Sequence, residues 1–264
     1  MKGAILFHKL VYQFFRPLFP MIRKHKFVYI TKQPVLKTNA IYAVNHSCKY
    51  DIQYVNEILC KQAYFLAGKQ SMCFSDRICA FLLGTLWVDR KSKPEKKQVV
   101  KKIIDLLNKG ADFVIFPEGT WNLTPSKPML PLYWGIIDIA RKSGKPIIPL
   151  VLEYTSDKCY VAFGKPMTIN ATDKKSVKSQ ELNDKFATMK WKIWERFQDT
   201  GYDTLEEWNK EVSYRLATYS KLDIKYETSV IRKEFDNIEV VFKHLSFIQP
   251  NIHNAFLFNK RNHD

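Results

Sequence analysis

Between residues 27 and 170 short apolar runs alternate with segments of helical periodicity, a pattern that few architectures satisfy. Phe27–Ile30, Ala40–Asn45, Tyr64–Ala67, Thr85–Asp89, Asp112–Phe116, Ile147–Leu152 and Tyr160–Phe163 are the expected strands. Between two of them, Ser92 with Glu95 three residues later resembles a capping box. It opens a helix with Val99, Val100, Ile103 and Leu107 on its core face, and Gly110 is placed to end it. Pro131 to Ser143 reads as a second helix, stopped by Gly144. The expected fold is an α/β layered domain over residues 27–170, with a largely parallel mixed sheet flanked by helices.

The flanks differ from this core. Plotted as a helix, residues 2–19 set Lys2, Lys9, Gln13 and Arg16 in one narrow polar stripe, at spacings of seven, four and three. Ile5, Leu6, Phe7, Leu10, Val11, Phe14, Phe15 and Leu18 fill the rest of the circumference. The basic cluster Arg23-Lys24-His25-Lys26 follows, and residues 1–50 hold no Asp or Glu. An apolar face with cationic borders suits either a terminal helix packed on its own domain or one lying in the interface of an anionic membrane. The absence of acid favours the second, so residues 1–26 are read as a membrane-interface segment. Residues 171–264 read as a helical extension. Leu182, Phe186, Met189, Ile193 and Phe197 recur at helical spacing, Thr204 with Glu207 caps another run, and Ile231, Phe235, Ile238, Phe242 and Leu245 form a third.

Forty-two Lys and Arg against 26 Asp and Glu give a net charge of +16, which points to an anionic partner such as a membrane surface, nucleic acid or acidic ligand. Much of that charge borders the N-terminal helix or lies in the run Lys91 to Lys102. No nucleic-acid motif accompanies it, so a membrane is expected and nucleic acid is not. The five cysteines are scattered, without a CxxC pair or a zinc-like Cys/His spacing, and fit reduced thiols. The longest apolar stretch, Ile78 to Val88, is well short of the ~20 residues a membrane-spanning helix needs. His8 and Lys9 break the N-terminal apolar run, and no cleavage site follows it. Peripheral attachment to the cytoplasmic face of a membrane is the expectation.

Polar residues cluster where expected strands end, the edge at which open α/β sheets bind ligands. Asn45-His46-Ser47-Cys48-Lys49-Tyr50-Asp51 follows the second strand. A histidine there can accept a hydroxyl proton, and a carboxylate on its other nitrogen fixes the tautomer and stabilises the imidazolium. The four intervening residues leave room for Asp51 to turn back to the ring. Val88-Asp89-Arg90, with Lys69 upstream, offers cations to a phosphate. Phe116-Pro117-Glu118-Gly119-Thr120 ends another strand in a polar turn, where Gly119 permits close backbone approach. Pro146-Ile147-Ile148-Pro149 is a strand bracketed by prolines.

In this order and spacing, the four blocks resemble the glycerophospholipid acyltransferases, of which 1-acylglycerol-3-phosphate (lysophosphatidate) acyltransferases are typical. The resemblance covers roughly residues 35–170 and includes Gly164-Lys165-Pro166. It implies His46 as general base on the acceptor hydroxyl and Asp51 as its orienter. Asn45, Lys69, Arg90, Glu118, Gly119, Thr120 and Trp121 would then line the acceptor site. It further implies a lysophospholipid acceptor, an acyl-CoA or acyl-carrier-protein thioester as donor, and no metal or bound cofactor.

The chain departs from that pattern at two places. Trp121 stands where an arginine usually follows Phe-Pro-Glu-Gly-Thr, and Tyr133-Trp134-Gly135 stands where a lysine usually precedes the glycine. An indole cannot ligate phosphate as a guanidinium does, but it can stack on a sugar or an acyl chain. The acceptor site is therefore expected either to hold phosphate through Lys69, Arg90 and Lys91 or to take another head group. Three other readings stand beside this one. They are a Cys48 nucleophile forming an acyl-enzyme, a basic nucleic-acid binder, and a silent lipid-binding relative, which the intact His46 and Asp51 oppose.

Overall fold

The structure, a computed structural model, describes residues 2–48, 50–69, 74–89, 92–122, 128–155 and 157–197, with Thr204, Glu206, Glu207 and Lys210. The chain forms two compact units, Met1–Gln70 with Ser75–Asn122 and Pro128–Gly201, and Ser71–Phe74 with Leu123–Lys127 and Tyr202–Asp264. The sheet belongs to the first.

All seven expected strands form: β1 Lys26–Tyr29, β2 Ile41–Val44, β3 Ala63–Gly68, β4 Thr85–Val88, β5 Asp112–Ile115, β6 Ile147–Tyr154 and β7 Lys158–Phe163. Their order across the sheet is β1-β7-β6-β2-β5-β3-β4. Every neighbouring pair is parallel except β6 with β7. Thus β2 lies between β6 and β5, with Ile41 opposite both Ile147 and Phe113. The C-terminal ends of β2, β3, β4, β5 and β6 consequently share one edge of the sheet.

The central strands are apolar on both faces because helices cover both. On one side Ile41, Ala43, Phe113 and Ile147 pack with helices α5 (Lys93–Asn108), α6 (Gly135–Ser143) and α7 (Lys175–Arg196). On the other, Tyr42, Val44, Val114 and Ile148 pack with α3 (Asp51–Leu59) through Tyr54, Val55, Ile58 and Leu59. In α7, Leu182, Phe186 and Ile193 are buried and Met189 and Phe197 pack on the same cluster. Burying each such side chain stabilises the fold by about 1.5–3 kcal/mol.

The helix boundaries carry three refinements. Ser92 does cap α5, accepting from the Glu95 amide at 3.3 Å. The reciprocal half of a capping box is replaced, for the Glu95 carboxylate turns to the Asp89 amide and Lys69. The Pro131–Ser143 segment becomes helical only from Gly135, because the Tyr133 amide donates instead to the Pro117 carbonyl at 2.9 Å. The apolar stretch Ile78 to Val88 is divided between α4 (Phe74–Leu82) and β4 by a turn at Gly84. Among the described residues no helix is long and apolar enough to cross a membrane.

The N-terminal helix α1 (Lys2–Phe15) presents two apolar faces rather than one. Ile5, His8 and Tyr12 are buried. His8 Nδ1 lies 3.1 Å from the Leu82 carbonyl, and the Tyr12 hydroxyl donates to the Asn56 carbonyl at 3.1 Å. Leu6, Phe7, Leu10 and Phe14 stay exposed, Phe14 at 76%. The sheet's compact unit thus takes in α1 and α7, beyond the 27–170 limits at both ends. Thr204 and Glu207 bond reciprocally, the Glu207 amide to Thr204 Oγ1 at 3.2 Å and the Thr204 amide to Glu207 Oε2 at 3.4 Å. The helical run expected over Ile231–Leu245 lies outside the described residues.

Candidate active site

β2 ends at Val44, and the next residues turn across the sheet edge into α3, whose first residue is Asp51. That turn brings Asp51 Oδ2 to 2.7 Å from His46 Nδ1. The same oxygen accepts from the amides of Ser47 at 2.7 Å and Cys48 at 3.0 Å, next to the positive end of α3. Oδ1 accepts from the Tyr154 hydroxyl at 2.5 Å and faces the Cys48 thiol at 3.6 Å. Asp51 is wholly buried. Burial alone would raise its pKa, but the His46 bond and charge, the Tyr154 hydroxyl and the Cys48 amide together hold it below the usual carboxylate value. The carboxylate is therefore ionised, and the ring proton sits on Nδ1.

His46 is held in place on its faces as well. Its ring stacks on Phe116 at a centroid separation of 4.4 Å, and Phe116 follows β5 directly. Its Nε2, the nitrogen left with a lone pair, lies 3.0 Å from the indole nitrogen of Trp121. The imidazole is one-fifth exposed, whereas Asp51 is fully enclosed.

Two of the residues expected to line the acceptor site, Asn45 and Glu118, bond to backbone groups. The Asn45 amide joins β2 to β6, donating to the Leu152 carbonyl and accepting from the Leu152 amide, both at 2.8 Å. Glu118 is buried, and its carboxylate accepts from the amides of His46 and Leu130, both at 2.9 Å. Burial raises its pKa to about 6, against the lowering by those two amides and the Lys190 charge. Both positions face inward because each closes backbone bonds that a strand end leaves open. Gly119 has φ +71°, in the left-handed region that favours glycine, and Thr120 beside it is half-buried.

Lys69 lies at the end of β3, with its ammonium 2.8 Å from Glu95. Arg90 and Lys91 lie outside the described residues. The Cys48 thiol is buried and lies 3.6 Å from Asp51 Oδ1. Among the described residues no group of His, Cys, Asp and Glu could hold a metal ion.

Tyr154 was not visible in the sequence as part of the site. It lies 103 residues from Asp51, and the expected strand stopped at Leu152 because Glu153 follows. Glu153 is accommodated at the end of β6 by Lys190 of α7 at 2.9 Å and by the Trp194 indole at 2.9 Å. The strand thereby continues to Tyr154.

A largely parallel sheet thus carries an enclosed carboxylate–imidazole pair at the C-terminal ends of its strands. The profile of the Acyltransferase family matches residues 21–153, and the chain belongs to that family. It is 28% identical over 123 residues to the 1-acyl-sn-glycerol-3-phosphate acyltransferase of Escherichia coli, covering 46% of this chain and 49% of that protein. It is 27% identical over 145 residues to the enzyme of the same name from Haemophilus influenzae, covering 54% of this chain and 58% of the relative. The chain thus spans about half the length of these curated relatives. The fold is also that of the crystal structure of the 1-acyl-sn-glycerophosphate acyltransferase from Thermotoga maritima. That match has a TM-score of 0.59 at 17% identity and covers 74% of this chain and 83% of the other.

Proposed function

We propose that the chain transfers a fatty acyl group from an acyl thioester, acyl-CoA or acyl-carrier protein, to the free hydroxyl of a lysophospholipid. 1-Acylglycerol-3-phosphate, named in the relatives' titles, is the acceptor of first choice. The observation that carries this reading is the 2.7 Å bond from His46 Nδ1 to an ionised, enclosed Asp51. His46 Nε2 takes the hydroxyl proton as the acceptor oxygen bonds to the thioester carbonyl carbon. The tetrahedral intermediate collapses, the C–S bond breaks, and the departing sulfur receives the proton from Nε2. Asp51 remains ionised throughout and balances the transient imidazolium.

The lipid acceptor calls for access from a membrane. The exposed face of α1, with Leu6, Phe7, Leu10 and Phe14, supports docking on an anionic lipid surface, as does the basic segment after it. Incubating the purified chain with acyl-CoA or acyl-carrier protein and lysophosphatidate, then identifying lipids by mass spectrometry, tests the reading. Phosphatidate is the expected product, and no acylation of any lysophospholipid would overturn the proposal.

A second acceptor class is favoured by two observations. Lys69 is engaged with Glu95, and Trp121 occupies the position where an arginine was expected. Both suit an acceptor held less by phosphate, such as a sugar lipid. Comparing lysophosphatidate with uncharged monoacylated glycolipids at equal concentration separates the two.

A further inference from the structure

His46 has one lone pair to offer. Nδ1 faces the ionised Asp51 and so carries the ring proton, while Nε2 faces an indole N–H, which can only donate. The atom that must receive the acceptor's proton is therefore already occupied. Trp121 is 8% exposed, and its ring meets that of His46 edge-on, at 84°. The backbone around it is tied down on both sides. Glu118 accepts from the amides of His46 and Leu130, and the Asn122 amide donates to the His46 carbonyl at 2.7 Å. With that turn held, displacement of the indole from Nε2 would be a rotation about its own side-chain bonds.

We propose that Trp121 is a cap on the base, holding the place of the acceptor hydroxyl on His46 Nε2 until an acceptor displaces it. The proposal rests on His46 as general base. An uncapped base beside an acyl thioester would also activate water. Water's proton would pass to Nε2, its oxygen would bond to the acyl carbon, the C–S bond would break, and the departing sulfur would recover the proton. The products would be a free fatty acid and a thiol. Water brings nothing but its own hydrogen bonds to the exchange with the indole, whereas a lipid acceptor brings the contacts of its glycerol and chain. The cap thereby selects a lipid alcohol over water, a specificity that an arginine reaching for phosphate would not supply.

Trp121→Phe removes the N–H and keeps an aromatic ring. In the full chain without lipid, diethyl pyrocarbonate should acylate His46 about 5- to 10-fold faster in this variant, the loss of one net hydrogen bond. The rate is followed on the His46 peptide by mass spectrometry, and equal rates in the two proteins would overturn the cap. With acyl-CoA present and no acceptor, the variant should release more thiol and fatty acid, so that hydrolysis rises relative to transfer. An unchanged ratio would overturn the cap equally. Should the variant not fold, indole N–H exchange in the 15N-labelled wild type serves instead. One indole should exchange slowly alone and faster with lysophosphatidate, and insensitivity of every indole to the lipid would overturn the proposal. The diethyl pyrocarbonate rate needs no catalysis, so its failure counts against the cap alone. A wild type that acylates no lysophospholipid counts against the acyltransferase reading.

Discussion

Replacing Asp51 by Asn removes the charge beside His46 and changes little of the side chain's shape. Asp51 Oδ2 accepts from His46 Nδ1, Ser47 N and Cys48 N, and Oδ1 accepts from Tyr154. Asparagine has one acceptor oxygen, which must face the three N–H donors, leaving its amide to face the Tyr154 hydroxyl. That hydroxyl can reverse its role and accept, so the variant should fold. Each bond that had been made to a charged group becomes a neutral one, and the summed loss should be about 2–3 kcal/mol at neutral pH. The larger effect falls on the imidazolium, which loses its counter-charge in an enclosed site. Acyl transfer should drop by roughly 10²–10⁴-fold, the usual range for general-base catalysis. The depressed pKa of Asp51 adds a signature. Its contribution to stability is present above the ordinary carboxylate value of 3.8 and is lost as pH falls through the lower folded value. The variant should lack that acid-side loss. Thiol release from acyl-CoA with lysophosphatidate, alongside urea unfolding, measures both effects. A variant with weakened stability but activity within a few-fold of wild type would show that Asp51 only holds the turn.

Three further outcomes follow from the same geometry. Tyr154→Phe removes the hydroxyl bonded to Asp51 Oδ1 and should cost about 1–3 kcal/mol in urea unfolding. Activity should fall with it, and a variant unchanged in both would remove Tyr154 from the site. Burial raises the Glu118 pKa from 4.5 to about 6, so its contribution to stability is full below pH 4.5 and is lost as pH rises through about 6. That change amounts to about 2 kcal/mol between the two limits. Unfolding midpoints should show this slope in wild type and not in Glu118→Gln, and parallel pH profiles would contradict it. Leu10→Glu with Phe14→Glu alters only the exposed face of α1. Sedimentation with anionic vesicles should weaken at unchanged thermal stability, and undiminished sedimentation would place membrane contact elsewhere.

How much of this was legible in the sequence depended on the range of each signal. The strands were legible because each is a short apolar run stopped by a polar turn, and the dyad was legible because its five-residue separation is local. Tyr154 was not, since nothing near it in the chain marks a partner on α3's first turn. Asn45 and Glu118 were picked out by the family resemblance, but a motif cannot tell a side chain facing substrate from one closing backbone bonds, and both close backbone bonds. The two-sided nature of α1 was hidden for a related reason. A helix apolar around most of its circumference does not say which face the rest of the protein will cover, and here Ile5, His8 and Tyr12 are covered. Trp121 stood out as a departure, yet the bond from its N–H to His46 Nε2 depends on a turn fixed by amides of residues 46, 122 and 130.

The most direct test of the account is the rate of lysophosphatidate-dependent thiol release in wild type and His46→Ala. The variant takes away the bond and charge that do most to keep the buried Asp51 ionised, so its unfolding midpoint should fall while the protein stays folded at the assay temperature. Its rate should fall by roughly 10²–10⁴-fold, the contribution expected of a positioned base. A folded His46→Ala protein that acylates lysophosphatidate at the wild-type rate would contradict the account.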